Sequence, residues 1–477
     1  MDYEVVVVGG GIGGLTTAAL LAAHGVSVCL FERQARPGGC VANVDHSGFV
    51  FEPTCGLYSG WEPGGLYERI FDQLPLPPPK VDRLSPAYCV RLPDGAEVAV
   101  SESFDQLEKD LRRTFPECSE AAVAFYRQLV RINAVRDSSP EIQPAEVLLT
   151  ECSSRFRRFV DVQLQTFTQN ASDQCSLQQA ALALTNPRRG LWSIRGGAQA
   201  LANALAESIK KSGGSVRLNA PVLRLAYGLD GLPAGVDLLS GERVSATRAI
   251  VSNLTVWDTY GKLIGLSRTP VSISSQLKQT HSWGAYLLFL SMDRSAVSRL
   301  SSSRVLALTD WRERQPYSPE QMQFFFSAAS YSDTPGEVGA PEDKLAVTVS
   351  SFTNVDDWFA FHQDEAAHEE QDQSTLETLW TQLHTAMPEL GDSVEVIETA
   401  TPRTFYEDTR RKLGMVGRPV GSLKLARAEI EHTSTVFPNV FLVSDTNSEG
   451  LGLAGVSQSA LDLANLITGR PLPFDRR

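Results

Sequence analysis

Six residues, Gly9-Gly10-Gly11-Ile12-Gly13-Gly14, stand directly after the β-branched stretch 3–8 and directly before the Ala/Leu/Thr-rich stretch 15–24. A continuous apolar run bounded by glycine reads as a fully buried strand of a parallel sheet, and the spacing that follows reads as a helix ended by Gly25. Residues 26–31 form a second buried strand, so the chain opens with one βαβ unit. Its Gly-x-Gly-x-x-Gly spacing has a physical meaning. Gly9 allows the tight turn, Gly11 lets a pyrophosphate approach the backbone, and Gly14 lets helix and strand pack closely. Free N–H groups and the helix dipole then face the phosphates, with Ile12 and Gly13 completing the loop. Glu32 closes the second strand, where an acid accepts hydrogen bonds from ribose hydroxyls and disfavours a 2′-phosphate.

This texture returns twice along the 477 residues. Residues 190–225 run from a Gly-rich turn through a helix at 198–211 and Gly213-Gly214 into a strand at 215–225, followed by strands at 236–239 and 248–253. Residues 438–470 again read as strand, Gly-rich turn and helix. Between them lie a short helix at 66–74 with a stiff proline connector at 75–79, strands and amphipathic helices over 81–188, strands at 281–293 and 345–354, and a Pro/Gly/acidic loop at 330–343. The expected organisation is α/β: one discontinuous nucleotide-binding domain (1–75, 188–262 and 395–477) with an inserted α+β domain of mixed sheet and helices (76–187 and 263–394). No internal repeat is present.

The net charge of −13 argues against a nucleic-acid partner. Seven scattered cysteines, never spaced Cys-x-x-Cys, read as reduced thiols. The acidic N-terminal residues do not read as a signal peptide, and no apolar stretch approaches the length of a bilayer span, so a cytoplasmic, soluble or peripherally membrane-associated protein is expected. The histidines show no metal spacing; His362 and His368 lie in an acidic stretch that reads as a solvated helical face. No metal is expected.

Downstream of Glu32, the string Arg33-Gln34-Ala35-Arg36-Pro37-Gly38-Gly39-Cys40, then Gly48-Phe49-Val50-Phe51-Glu52, resembles the extended FAD signature of the amine oxidase and carotenoid desaturase class of flavoproteins. Residues 439–445 with Gly450-Leu451-Gly452-Leu453-Ala454-Gly455-Val456 resemble the family's closing strand and helix. There the resemblance implies that Asp445 binds the flavin ribityl chain and that the helix start, with Gly455 and Val456, faces the isoalloxazine. The stretch 190–201 with 214–222 resembles the family as well, and implies that backbone near Val222 touches the adenine. Thr401-Pro402-Arg403-Thr404-Phe405 and the glycine loop 414–421 look like the carotenoid isomerases and desaturases, closest to the carotenoid 3′,4′-desaturase branch of the phytoene desaturase-like proteins. The resemblance implies a Rossmann-like FAD domain of the glutathione reductase/amine oxidase type. The chain departs from the family pattern at Thr54 and Ser444, where glycine is usual, and at Glu449 and Ala454, where proline is.

The cofactor expected is therefore FAD, and the substrate a lipophilic polyene such as a carotenoid. The leading expectation is desaturation, with hydride passing to flavin N5. Cis-trans isomerisation on reduced FAD without net redox is the alternative, and a non-catalytic flavin- or polyene-binding protein is a third. No second dinucleotide fingerprint follows a strand, which leaves oxygen or a quinone as possible electron acceptor. Glu52 and Arg195 are the polar residues to consider first for catalysis. Arg155-Phe156-Arg157-Arg158-Phe159, continuing to Phe167, is a basic-aromatic patch that would suit a membrane surface, or else a helix with its aromatics in the core and its arginines snorkelling.

Overall fold

The structure, a computed structural model, describes residues 2–134, 143–312, 315–328, 339–341, 343–360, 364–420, 433–448 and 450–470. Asp2–Val8 is a strand whose last four residues are buried, as a run of valines demands. It pairs in parallel with Val28–Phe31 on one side and with Arg243–Ser252 on the other. Ser215–Arg217 extends the sheet beyond Val28–Phe31, and Val440–Leu442 adds to Arg243–Ser252, both in parallel. Pro233–Leu238 and Val222–Tyr227 complete the seven strands as antiparallel neighbours. The helix Ile12–Ala23 lies on this sheet, and its small residues let the helices Ala198–Lys211 and Gly452–Thr468 pack against it in one apolar cluster. Close-packed aliphatic side chains of this kind stabilise by roughly 1.5–3 kcal/mol each.

A second seven-stranded sheet runs Val394–Ala400, Gly284–Asp293, Lys344–Thr353, Gln323–Ala328, Arg304–Leu308, Tyr88–Arg91, Glu97–Val100. It is antiparallel except where Arg304–Leu308 meets Tyr88–Arg91. The amphipathic helices Phe104–Thr114, Ser119–Ala134, Ser154–Thr168 and Leu177–Thr185 share one core with its far end. Two short strands, Val81–Arg83 and Trp192–Ile194, tie the two halves together.

The elements named in the sequence reading keep their types with two changes, and the strands Arg304–Leu308 and Gln323–Ala328 and the helix Glu365–Ala386 add to them. The stretch 215–225 is two strands rather than one, because Asn219 takes a positive φ and Pro221 follows it. Val394–Ala400, assigned to the nucleotide-binding segment 395–477, instead pairs antiparallel with Gly284–Asp293. We therefore place that domain boundary near residue 401. Glu449, Gly421, His362, His432 and most of the loop 330–343 lie outside the described residues. No helix among the described residues is long and apolar enough to cross a membrane.

Candidate functional site

The carboxyl ends of the parallel strands converge on the glycine loop. A β-carbon at Gly14 would lie 2.3 Å from the Gly9 carbonyl oxygen, and one at Gly11 would lie 2.5 Å from Asn253 Oδ1. Only glycine permits these approaches. Asn253, at the end of the neighbouring strand, donates its N–H to Val8 O at 2.8 Å and its Nδ2 to Val443 O at 2.5 Å, clamping loop and strands. Ile12 is buried, and Val456 packs where a Gly13 side chain would stand, 2.6 Å from the β-carbon position.

Glu32 is buried at the end of Val28–Phe31. Its Oε2 accepts from Gly10 N–H at 2.6 Å and its Oε1 from Gln34 N–H at 2.8 Å, which fixes the carboxylate beside the loop. Ala220 N–H donates to Glu32 O at 2.8 Å, so the connection preceding Val222, rather than Val222 itself, meets this corner. Val222 sits at the head of its strand opposite Leu238. Gly38 N–H donates to Gly10 O at 2.8 Å, and a β-carbon at Gly39 would lie 3.2 Å from Gly11 Cα, so 38–39 lies along the glycine loop.

Cys40 follows, its thiol pushed up by burial. Arg411 Nη1 lies 3.9 Å from its Sγ, and the same guanidinium grips Asp445 with Nη1–Oδ1 at 3.1 Å and Nη2–Oδ2 at 2.9 Å. Ser444 stands where the resemblance expects glycine: its hydroxyl is 2.6 Å from Thr446 Oγ1 and accepts from Thr446 N–H, closing the turn after Val440–Leu442. Gly450 and Gly455 touch, a β-carbon on Gly455 lying 2.3 Å from Gly450 C.

A dinucleotide fits these residues. Both Ile12–Ala23 and Gly452–Thr468 start without a side-chain cap, at Gly11 and Leu451 respectively. Neither N-cap side chain competes for the first-turn N–H groups, which suits an anion at each end. Gly60 lies against Ala454, 3.6 Å from its β-carbon position, and so brings the segment 52–60 to the second helix start.

Glu52 joins the two halves. Oε1 accepts from the Tyr58 hydroxyl and from Ala198 N–H at 2.9 Å, while its carbonyl accepts from Thr348 Oγ1 at 2.9 Å. Burial raises its pKa, with Tyr58, Arg304 and Ala198 pulling the other way. Arg304 is 1% exposed, and its Nε and Nη2 have no hydrogen-bond partner among the described residues. Its Nη2 and Glu52 Oε2 stand 2.9 and 3.1 Å from the missing Gly56 β-carbon. Thr54, the other departure from the family pattern, places its hydroxyl 2.8 Å from Tyr58 OH and accepts from Gly56 N–H.

Two arginines singled out in the sequence are engaged by other partners, and the patch 155–167 resolves to one of its two readings. Arg195 is half exposed and bidentate to Asp82 at 2.7 and 2.8 Å, tying Trp192–Ile194 to Val81–Arg83. Arg33 donates to the carbonyls of Glu407 and Asp408 at the end of the helix Pro402–Thr409, which spends its charge on that helix. Of the two readings of residues 155–167, the core helix matches the geometry: Phe156 and Phe159 are fully buried, Arg155 pairs with Asp94 and Glu117, and Arg158 donates to the carbonyls of Trp311, Arg312 and Gln315. Arg304 and Arg411 stand in no motif of the sequence, and neither does Asn253. Only Asn253 had a signal, its place at the carboxyl end of a strand in the ligand crevice.

The family pattern of flavin-containing amine oxidoreductases matches residues 12–467. Prolycopene isomerase 2 of an Oncidium hybrid cultivar is 24% identical, covering 100% of this chain and 85% of that protein. A zeta-carotene-forming phytoene desaturase of Myxococcus xanthus is 29% identical, covering 72% of this chain and 71% of the other. Among solved structures, an oxidoreductase from Methanosarcina mazei superposes with a TM-score of 0.72 at 17% identity, over 97% of this chain and 99% of that one. A putrescine oxidase variant does so at 0.66 and 15% identity, over 98% and 99%. With the βαβ glycine loop, the Glu32 corner and the closing helix in place, the chain belongs to the flavin-containing amine oxidoreductase family.

Proposed function

We propose that the protein is an FAD-dependent oxidoreductase that desaturates a long lipophilic polyene of the carotenoid class. The observation that carries this reading is the kind of relative that matches along most of the chain: those proteins are named for prolycopene, phytoene and zeta-carotene. The likeness to an amine oxidase is one of fold alone. Glu32, fixed beside Gly10, supports an adenosine ribose and hence FAD rather than FMN. In this reading the loop Gly9–Gly14 with Gly38 and Gly39 takes the pyrophosphate, Asp445 takes a ribityl hydroxyl, and the helix start at Leu451 faces the flavin. When bound, FAD supplies a two-electron acceptor.

The chain's own residues orient and exclude water. Glu52 and Tyr58 lock the segment 52–60 onto Ala198 N–H, which fixes the floor beside the helix start. The second sheet and its helices, residues 76–187 and 263–400, supply the apolar walls. Oxygen or a quinone is the acceptor this reading assigns.

Isomerisation on reduced FAD is the second reading, because the prolycopene isomerase matches the whole chain whereas the higher-identity desaturase covers less of it. Anaerobic incubation of the flavin-loaded protein with candidate polyenes decides between them. Desaturation bleaches the flavin in proportion to a red-shifted product about two mass units lighter per new double bond. A product of unchanged mass, formed only after prior reduction of the flavin, would overturn desaturation in favour of isomerisation. Binding without either change would leave a flavin- and polyene-binding protein.

A further inference from the structure

The stretch 410–420 adopts an unusual backbone. Arg410 and Leu413 both have positive φ, +58° and +51°, a region that side-chain-bearing residues rarely adopt and that tends to persist where surrounding structure enforces it. Gly414 follows, where a β-carbon would lie 1.9 Å from the Pro402 carbonyl oxygen. The turn delivers Arg411 to Asp445. The guanidinium is 11% exposed, donates Nε to Met415 O at 2.7 Å and takes both carboxylate oxygens of Asp445, while Gly417 N–H adds a bond to Oδ2 at 3.1 Å. The stretch is anchored on the second sheet's side as well. Gln169 and Ser282 donate to Val416 O at 3.0 and 2.7 Å, Val416 N–H donates to Trp283 O, and Val420 N–H to His281 O.

Charge gives this arrangement its meaning. A dianionic pyrophosphate in the crevice would meet Glu32 at one end and Asp445 at the other. Arg33 is spent on carbonyls, and Arg36 is paired with Asp45 at 2.7 Å. Arg411 is the buried cation that reaches both Asp445 and Cys40, whose predecessor Gly39 abuts the glycine loop. An ionised Asp445 without it would repel the phosphates. With it, the carboxylate is neutralised and still has acceptor capacity for a hydroxyl.

We propose that Arg411 is a cofactor-positioning residue that neutralises and orients Asp445, so that this carboxylate takes a ribityl hydroxyl without repelling the FAD pyrophosphate. This rests on the FAD reading above. The test is titration of apoprotein with FAD, followed by flavin fluorescence, for the parent, Arg411→Met, Arg411→Lys, Asp445→Asn and the double variant Arg411→Met/Asp445→Asn, with the apoprotein melting temperature of each. Arg411→Met is expected to weaken FAD on the order of 100-fold, because it leaves the part-buried Asp445 carboxylate without its cation and facing the phosphates. The double variant binds more tightly than Arg411→Met, since the repelling charge is gone, and a merely structural role would not produce that rescue. Arg411→Lys keeps the charge but loses the two-pronged geometry, and is expected to weaken FAD about tenfold. It carries the test if Arg411→Met fails to fold, in which case parent-like affinity of the lysine variant overturns the proposal. Affinity of Arg411→Met within about threefold of the parent, or a double variant no tighter than Arg411→Met, also overturns it. A parent that takes up no FAD brings down the FAD reading itself, and a parent that binds beside an equally binding Arg411→Met brings down only the role of Arg411.

Discussion

Gly14 faces Gly9 so closely that a β-carbon on Gly14 would lie 2.3 Å from the Gly9 carbonyl oxygen. That contact lets the helix Ile12–Ala23 start directly on the end of Asp2–Val8, and in the proposed FAD reading it sets the geometry of the phosphate site by backbone alone. Gly14→Ala must push helix and strand apart, at a cost of about 3 kcal/mol or more. Gly25→Ala is the control: nothing lies within 4 Å of its β-carbon, and only its φ of +78° opposes the change, at roughly 1–2 kcal/mol. Denaturant melts and flavin content after gel filtration should show Gly14→Ala colourless and strongly destabilised, with Gly25→Ala yellow and mildly destabilised. Equal flavin retention by the two would refute the close-approach argument.

Glu52 gives a pH-dependent signature. Burial raises its carboxyl above the ordinary value of 4.5, outweighing the Tyr58 hydroxyl, Arg304 and the Ala198 N–H. A raised value in the folded state means that folding favours the protonated form. The stability this contributes is complete below the unfolded value and is lost as pH rises through the folded one. Glu52→Gln has no such titration. Chemical denaturation across a pH series should therefore show the parent losing stability relative to Glu52→Gln from about pH 4.5 upward, until the folded carboxyl has ionised, and a constant gap beyond. A gap that stays flat throughout would mean that Glu52 titrates as an exposed acid.

The glycine loop, Glu32 and the strand-to-helix turn around Asp445 were legible because their chemistry lies in contiguous spacing that one strand and one helix impose. Arg411 was not. It reaches Asp445 only through a turn whose left-handed residues include Leu413, and no propensity marks that leucine as a turn former. Arg304 opens a strand of the second sheet whereas Glu52 lies outside both large sheets, so their juxtaposition near Gly56 depends on how distant segments dock. Val394–Ala400 reads as a strand in either sheet, and only its pairing with Gly284–Asp293 decides. The helix Ser154–Thr168 has the same apolar period whether it faces lipid or core. Phe115 and Trp311, with Arg155 stacked over both, settle it for the core.

That last helix supports a prediction of its own. Arg158 joins the second core by donating to the carbonyls of Trp311, Arg312 and Gln315 and by pairing with Asp161 at 3.4 Å. Arg158→Met leaves those acceptors and a buried carboxylate with fewer partners, and should destabilise by about 1–3 kcal/mol. Binding to anionic liposomes should be no different from that of the parent, as measured by co-sedimentation. Parent-like stability with lost liposome binding would restore the membrane role to this helix.

The start of Gly452–Thr468 permits a cleaner electrostatic test, because Leu451 stands at its N-cap with no capping side chain. Asparagine and aspartate cap helices about equally well, and both replacements lose the leucine's apolar contact with the second core. Leu451→Asn and Leu451→Asp therefore differ mainly by one negative charge at the positive end of the helix dipole. If that end stabilises negative charge on the reduced flavin, the aspartate cancels part of it where the asparagine does not. A charge at a helix terminus is worth roughly 0.3–1 kcal/mol, so the two-electron potential of Leu451→Asp should lie on the order of 10–20 mV below that of Leu451→Asn. Spectroelectrochemical titration of the two flavin-loaded variants measures the difference directly. Equal potentials would mean that this helix end does not face the flavin.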